Sequence, residues 1–109
     1  MVSSLAALLG SPGQYLDYAA SKGAIDVATK GLSLELANDG VRVNAVRPGV
    51  IDTDIHASGG LPDRAATLAP TLPMARAGSA AEVAEPILWL LSEEASYVTG
   101  AILDVAGGR

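Results

Sequence analysis

An α/β fold with a doubly wound parallel sheet is the architecture this sequence predicts, with about three strands, two main helices and one long loop in 109 residues. Three observations carry the prediction. Apolar residues recur at helical spacing in two separated stretches, each with end signals. β-branched alternation lies between and after those stretches. The resulting order of strand, helix, strand, helix and strand is the grammar of parallel strands joined by right-handed crossovers.

Residues 1–4 read as the end of a strand, and 5–14 as a loop because Gly10, Pro12 and Gly13 punctuate it. One long helix follows, opening at Tyr15 and running to Asn38, with Asp17 as its expected N-cap and Gly40 as its stop. Ile25, Ala28, Leu32 and Leu36 recur along one face of it. Ala20, Gly23, Ala24, Val27 and Gly31 form a second stripe, whose small size suits close packing within the fold or between subunits.

Residues 41–46 alternate and are rich in valine, a strand that Pro48 and Gly49 end. Residues 51–78 are Pro- and Gly-rich and irregular, with one or two helical turns expected over 62–69. A segment of that length without regular structure is usually a lid or a binding loop. Ser79-Ala80-Ala81-Glu82 is a capping-box pattern, and Val83, Ile87, Leu90 and Leu91 then follow one helical face. Pro86 lies inside that helix, so a bend is expected near residues 82–86. Trp89, in a run of leucines, is expected in the core, and residues 101–105 form the last strand.

Composition narrows the class of function. The net charge of −5 and the absence of any Lys/Arg run argue against a nucleic-acid or anionic-membrane surface. With no cysteine there is neither a disulfide framework nor thiolate chemistry. No charged start precedes a long apolar run, so no signal peptide or membrane span is expected and the cytoplasm is the default compartment.

Ser4, Tyr18 and Lys22 are the residues with the strongest chemical pattern. Positions i and i+4 share one face of a helix, which stacks Lys22 one turn beyond Tyr18. A neighbouring cation favours phenolate over phenol, and a serine hydroxyl can hold a carbonyl oxygen while the phenol gives or takes its proton. In a doubly wound sheet, ligands bind beyond the carboxyl ends of the strands. Ser4, Pro48 and the loop after it all fall at such ends. Tyr15 lies three residues before Tyr18 and suits either a substrate pocket or simple packing. His56, with Asp52 and Asp54 nearby, lacks the further ligands of a metal site and reads as a surface or substrate-contacting histidine. Asn44 reads as a structural strand residue, and Asp104 has no assigned role.

Ser3-Ser4, the run Tyr18-Ala19-Ala20-Ser21-Lys22, the run from Asn44 to Thr53, and Tyr97-Val98-Thr99-Gly100 with the closing Gly107-Gly108 stand in one order. Together they resemble the short-chain dehydrogenase/reductase family, and the likeness covers essentially the whole chain. The resemblance implies a Rossmann-like sheet and an NAD- or NADP-dependent interconversion of a small alcohol and a carbonyl compound. It implies Tyr18 as the acid/base and Lys22 as the cation beside it, which also holds the nicotinamide ribose. Ser4, rather than Ser3, would orient the substrate oxygen. Pro48, Gly49, the backbone near Ile51 and the Thr53 hydroxyl would contact the cofactor. It also implies a homo-oligomer paired through the helix of residues 15–38.

The glycine-rich strand-turn-helix segment that receives the pyrophosphate in this family has no counterpart in the sequence. The expectation is therefore the C-terminal half of such a domain, marginally stable or associating on its own because its opening strand lacks a neighbour. The alternative is a catalytically silent fragment that serves as an oligomerising or binding module.

Overall fold

The computed structural model describes all 109 residues. Its centre is strand β1, Ala45–Pro48, which pairs in parallel with β2, Ile102–Val105, in the register Ala45 to Ile102 and Pro48 to Val105. On its other side β1 meets the start of the chain. Val2 bridges Val46 in parallel, and the amides of Ser3 and Leu5 donate to the carbonyls of Val46 and Pro48. Three parallel tracks thus end at one edge, with β1 in the middle, and the parallel α/β class is as the sequence predicts.

Helix α1, Ala6–Leu9, occupies residues expected to be a loop. Ala6, Ala7, Leu8 and Leu9 are strong helix formers, and the breaking residues begin only at Gly10, whose φ of 68° closes the turn. Helix α2 spans Leu16–Glu35, shorter than the expected 15–38. Tyr15, not Asp17, is its N-cap; Asp17 instead lies in the first turn, where a carboxylate complements the helix dipole. A 3-10 turn over Ala37–Asp39 and the left-handed Gly40 complete the stop.

The deepest face of α2 is formed by Ala19, Thr29 and Ser33, while Ile25, Ala28, Leu32 and Leu36 are only half-buried. Thr29 and Ser33 donate their hydroxyls to the carbonyls of Ile25 and Lys30 in their own helix, so small polar side chains are buried with their bonds made. Most of the small-residue stripe faces outward: Ala20, Ala24 and Gly31 are exposed, and Val27 is 75% exposed.

The expected strand at 41–46 begins later, at Ala45, because the side chains before it bond across the fold instead of lining a ladder. Arg42 donates to the carbonyls of Leu90, Ser92 and Val98. Asn44 donates to Val98 O at 2.8 Å and accepts from the Ala101 amide at 3.0 Å, the structural role read for it.

The segment 51–78 is more ordered than expected. It holds strand β3, Ile51–Asp52, and the short helices α3, Ile55–Ser58, and α4, Arg64–Leu68. At its end strand β4, Gly78–Ser79, pairs in parallel with β3. These strands of two residues are too short to leave a periodic signal. A small core of Val50, Ala65 and Leu72 lies beneath them, with Leu68 and Ala77 packed against it.

Helix α5, Ala80–Leu91, starts with the full capping box between Ser79 and Glu82 and continues through Pro86. Leu90 is buried there, whereas Trp89, expected in the core, is 47% exposed, and Leu91, expected on the face of Leu90, is 74% exposed. Each helical step turns about 100°, so aiming Leu90 inward turns its two neighbours outward. No helix is long and apolar enough to cross a membrane.

Candidate active site

Ser4, Tyr18, Lys22, Pro48, Gly49, Ile51 and Thr53 line one cavity of about 1010 Å³ at the carboxyl-end edge of the sheet. That volume suits a small-molecule site. Tyr18 and Lys22 enter it from α2, Ser4 from the turn before α1, and Pro48, Gly49, Val50, Ile51 and Thr53 from the exit of β1.

The two serines are used differently. Ser3 is 3% exposed and donates its hydroxyl to Lys22 O at 3.0 Å, pinning α2 to the first track of the sheet. Ser4 accepts from the Ala6 amide at 3.2 Å, which fixes its oxygen at the start of α1 and leaves its hydroxyl proton for the cavity. The Lys22 ammonium donates to Val2 O at 3.2 Å and lies 5.5 Å from the centre of the Tyr18 ring. Tyr18 itself is 38% exposed. A hydroxyl, a phenol and an ammonium thus share one cleft, a set able to hold a carbonyl oxygen and move a proton to or from it.

A charged cluster holds α2 against the sheet. Arg47 Nε donates to Asp26 Oδ2 at 2.9 Å and its Nη1 to Asp104 Oδ1 at 3.2 Å. Burial alone would lower the Arg47 pKa, but its hydrogen bonds to Asp26 and Asp104 and their negative charges outweigh it and hold the guanidinium above its ordinary value. Asp26 follows Lys22 by one turn, so the cluster ties the Lys22 side of α2 to β1 and β2. Sequence reasoning missed it, since Arg47 and Asp104 are 57 residues apart and carry no spacing signal.

Gly49 is needed for close approach. A Cβ there would sit 2.8 Å from Ala106 Cα, so only glycine lets the chain leaving β1 cross the chain leaving β2. Tyr15 also lines the cavity, with the Arg64 guanidinium 5.3 Å from its ring centre and bonded to Gln14 Oε1 at 3.3 Å. Arg64 and Gln14 had no sequence signal. His56 lines the cavity too, and its Nε2 lies 2.7 Å from Ile51 O, which ties α3 to β3.

Comparison with known proteins agrees with this fold. The family model described as Enoyl-(Acyl carrier protein) reductase matches residues 1–109. The chain is 62% identical over 108 residues to the uncharacterised oxidoreductase YgfF of Escherichia coli (strain K12), covering 99% of this chain and 44% of that protein. A blue fluorescent protein from a metagenomic library, solved in complex with NADPH, superposes with a TM-score of 0.86 at 34% identity, over 98% of this chain and 42% of the other. A 3-oxoacyl-[acyl-carrier protein] reductase from Brucella melitensis with bound NAD gives 0.81 at 44% identity, over 98% of this chain and 38% of the other. The chain therefore spans less than half the length of the relatives it matches. Its parallel sheet, the serine, tyrosine and lysine in one cleft, and a family match along its whole length agree: the chain belongs to the short-chain dehydrogenase/reductase family.

Proposed function

We propose that this chain supplies the proton-transfer and substrate portion of an NAD- or NADP-dependent oxidoreductase that interconverts a small alcohol and a carbonyl compound. The observation that carries the proposal is the meeting of Ser4, Tyr18 and Lys22 with Pro48, Gly49, Ile51 and Thr53 in one cleft. In reduction, the Ser4 hydroxyl donates a hydrogen bond to the carbonyl oxygen, and Tyr18 transfers its phenolic proton to that oxygen. Lys22 stabilises the phenolate left behind. In oxidation Tyr18 accepts the proton instead.

The nicotinamide end of the cofactor suits the cleft, which offers donors from Tyr18 and Lys22, the close backbone at Gly49, the backbone near Ile51 and the Thr53 hydroxyl. When bound, that group gives or takes a hydride at the substrate carbon. The cofactor proposal is confined to this end, since the residues present include no glycine-rich strand-turn-helix segment for the pyrophosphate. Residues 51–78 act as the substrate-binding part of the same domain.

A second reading, an oligomerising module, is supported by the outward face of α2, where Val27 is 75% and Leu34 68% exposed. Pairing of two copies through that helix would cover both, in a fragment that is catalytically silent. One assay separates them. NAD(P)H-dependent turnover of small ketones that falls about 100- to 10,000-fold in Tyr18→Phe supports the enzyme. No turnover and no binding of either cofactor by the unmodified chain, with a dimer that dissociates in Val27→Glu, leaves the module alone.

A further inference from the structure

The cleft is one-sided in charge. The cationic side chains of Lys22, Arg64 and Arg109 line it and no Asp or Glu does, although the chain carries 12 acidic against 7 basic residues. Lys22 is engaged with Val2 O and the Tyr18 ring. Arg64 is the informative member.

Arg42, Arg47 and Arg76 are each held by oxygen acceptors within the fold. Arg47 and Arg76 are paired with carboxylates. Arg42 is spent on three backbone carbonyls. Arg64 meets only neutral groups, the Gln14 amide oxygen at 3.3 Å and the face of Tyr15 at 5.3 Å. Those contacts orient the guanidinium without neutralising it. It is half-buried, so the unpaired charge is partly shielded from water, and its planar fork retains donors for a bidentate partner.

Placement relates this charge to the chemistry. Tyr15 precedes Tyr18 by three positions, and residues so spaced are about 5–6 Å apart on a helix surface. Arg64, stacked on Tyr15 at the N-cap of α2, lines the same cavity as Tyr18 in the first turn of that helix.

We propose that the cleft takes an anionic substrate, a carbonyl or alcohol compound bearing a carboxylate or phosphate oxyanion, with Arg64 as the specificity-determining clamp. The oxyanion sits on the Arg64 fork while the oxygen to be protonated faces Ser4 and Tyr18. The second half of that statement rests on the function proposed above; the clamp does not.

The test reads binding without turnover. The isotopically labelled chain is titrated by NMR with acetoacetate, its uncharged methyl ester, dihydroxyacetone phosphate and inorganic pyrophosphate. Acetoacetate or dihydroxyacetone phosphate should shift the amides of Tyr15, Tyr18 and Arg64, with the ester weaker by about tenfold or more. Arg64→Gln should erase the preference for the acid over the ester, and Arg64→Lys should keep part of it. If Arg64→Gln fails to fold, the acid-to-ester ratio of the unmodified chain and of Arg64→Lys decides.

Equal binding of acid and ester, a ratio unmoved by substitution at Arg64, or no binding of either anionic compound overturns the proposal. Binding of pyrophosphate alone also overturns it, because the arginine would then serve the cofactor. Tyr18→Phe should keep the acid preference. Failure of the catalytic reading therefore leaves the clamp standing, and reduction of neutral ketones indifferent to Arg64 overturns this proposal while leaving the catalytic reading intact.

Discussion

Replacing Gly49 with alanine is expected to destabilise the fold, although in most contexts the same change restricts the unfolded chain and helps. The new Cβ would lie 2.8 Å from Ala106 Cα, 2.9 Å from its Cβ and 3.3 Å from its carbonyl oxygen. Carbon pairs rest at about 3.5–4.0 Å, so the contact is short by more than half an ångström. Its partner is backbone and cannot rotate away. The two segments are also tied together, since the Gly49 amide donates to Val105 O at 3.0 Å. Overpacking of this kind costs about 1–3 kcal/mol. With a urea slope of about 1–3 kcal/mol/M, the midpoint should fall by about 1 M.

Gly31→Ala is the internal control. Nothing lies within 4 Å of its added Cβ, and it sits inside α2. It should raise stability by about 0.5–1 kcal/mol. Urea unfolding followed by circular dichroism reads both variants. A midpoint for Gly49→Ala equal to or above that of the unmodified chain would refute the close-approach argument. Moving Ala106 away also shifts the exit of β1, so Gly49→Ala should weaken ligand binding in the cleft where Gly31→Ala does not.

Arg47→Met should cost about 3 kcal/mol in the same assay, since it leaves the largely buried Asp26 without its cation, whereas Asp104→Asn, at the 45% exposed partner, should cost under about 1 kcal/mol. Asn44→Ala removes two bonds that close the loop before β2 and should cost about 1–3 kcal/mol, read in the same assay. Hydrogen bonds from Arg76 and from the Ser79 amide lower the Glu82 carboxyl from its ordinary 4.5 to about 2. Folding lowers this pKa, so its contribution is full above pH 4.5 and disappears as the pH falls through about 2. An acid titration of helicity should show that loss, and Glu82→Gln should remove it.

The large helices were legible because each carries its own signals: Ser79 and Glu82 mark one start and Gly40 one stop. Tyr18 and Lys22 were legible because they share one face of α2, whereas Ser4 was chosen over Ser3 on the family resemblance. What the sequence hid was built by distant pairs. Gln14 and Arg64 are separated by 50 residues, and Asn44 and Val98 by 54. Strands β3 and β4 have two residues each and gain their identity only from one another. The misplacement of Trp89 has a different cause. Hydrophobicity suggested burial, but the helical phase set by Leu90 decided against it. Only 13 of 109 residues are buried, so apolar content was a poor guide to position in this chain.

The central claim is that Ser4, Tyr18 and Lys22 share a ligand cleft with the exit of β1. Titration of the isotopically labelled chain with NADPH and with NADH, read residue by residue by NMR, tests it most directly. Shifts are expected to cluster at Ser4, Tyr18, Lys22, Gly49, Ile51 and Thr53 and to weaken in Lys22→Ala. Shifts centred instead on the smaller cavity beside Met1, Val43 and Ile87, or no shifts with either nucleotide, would contradict it.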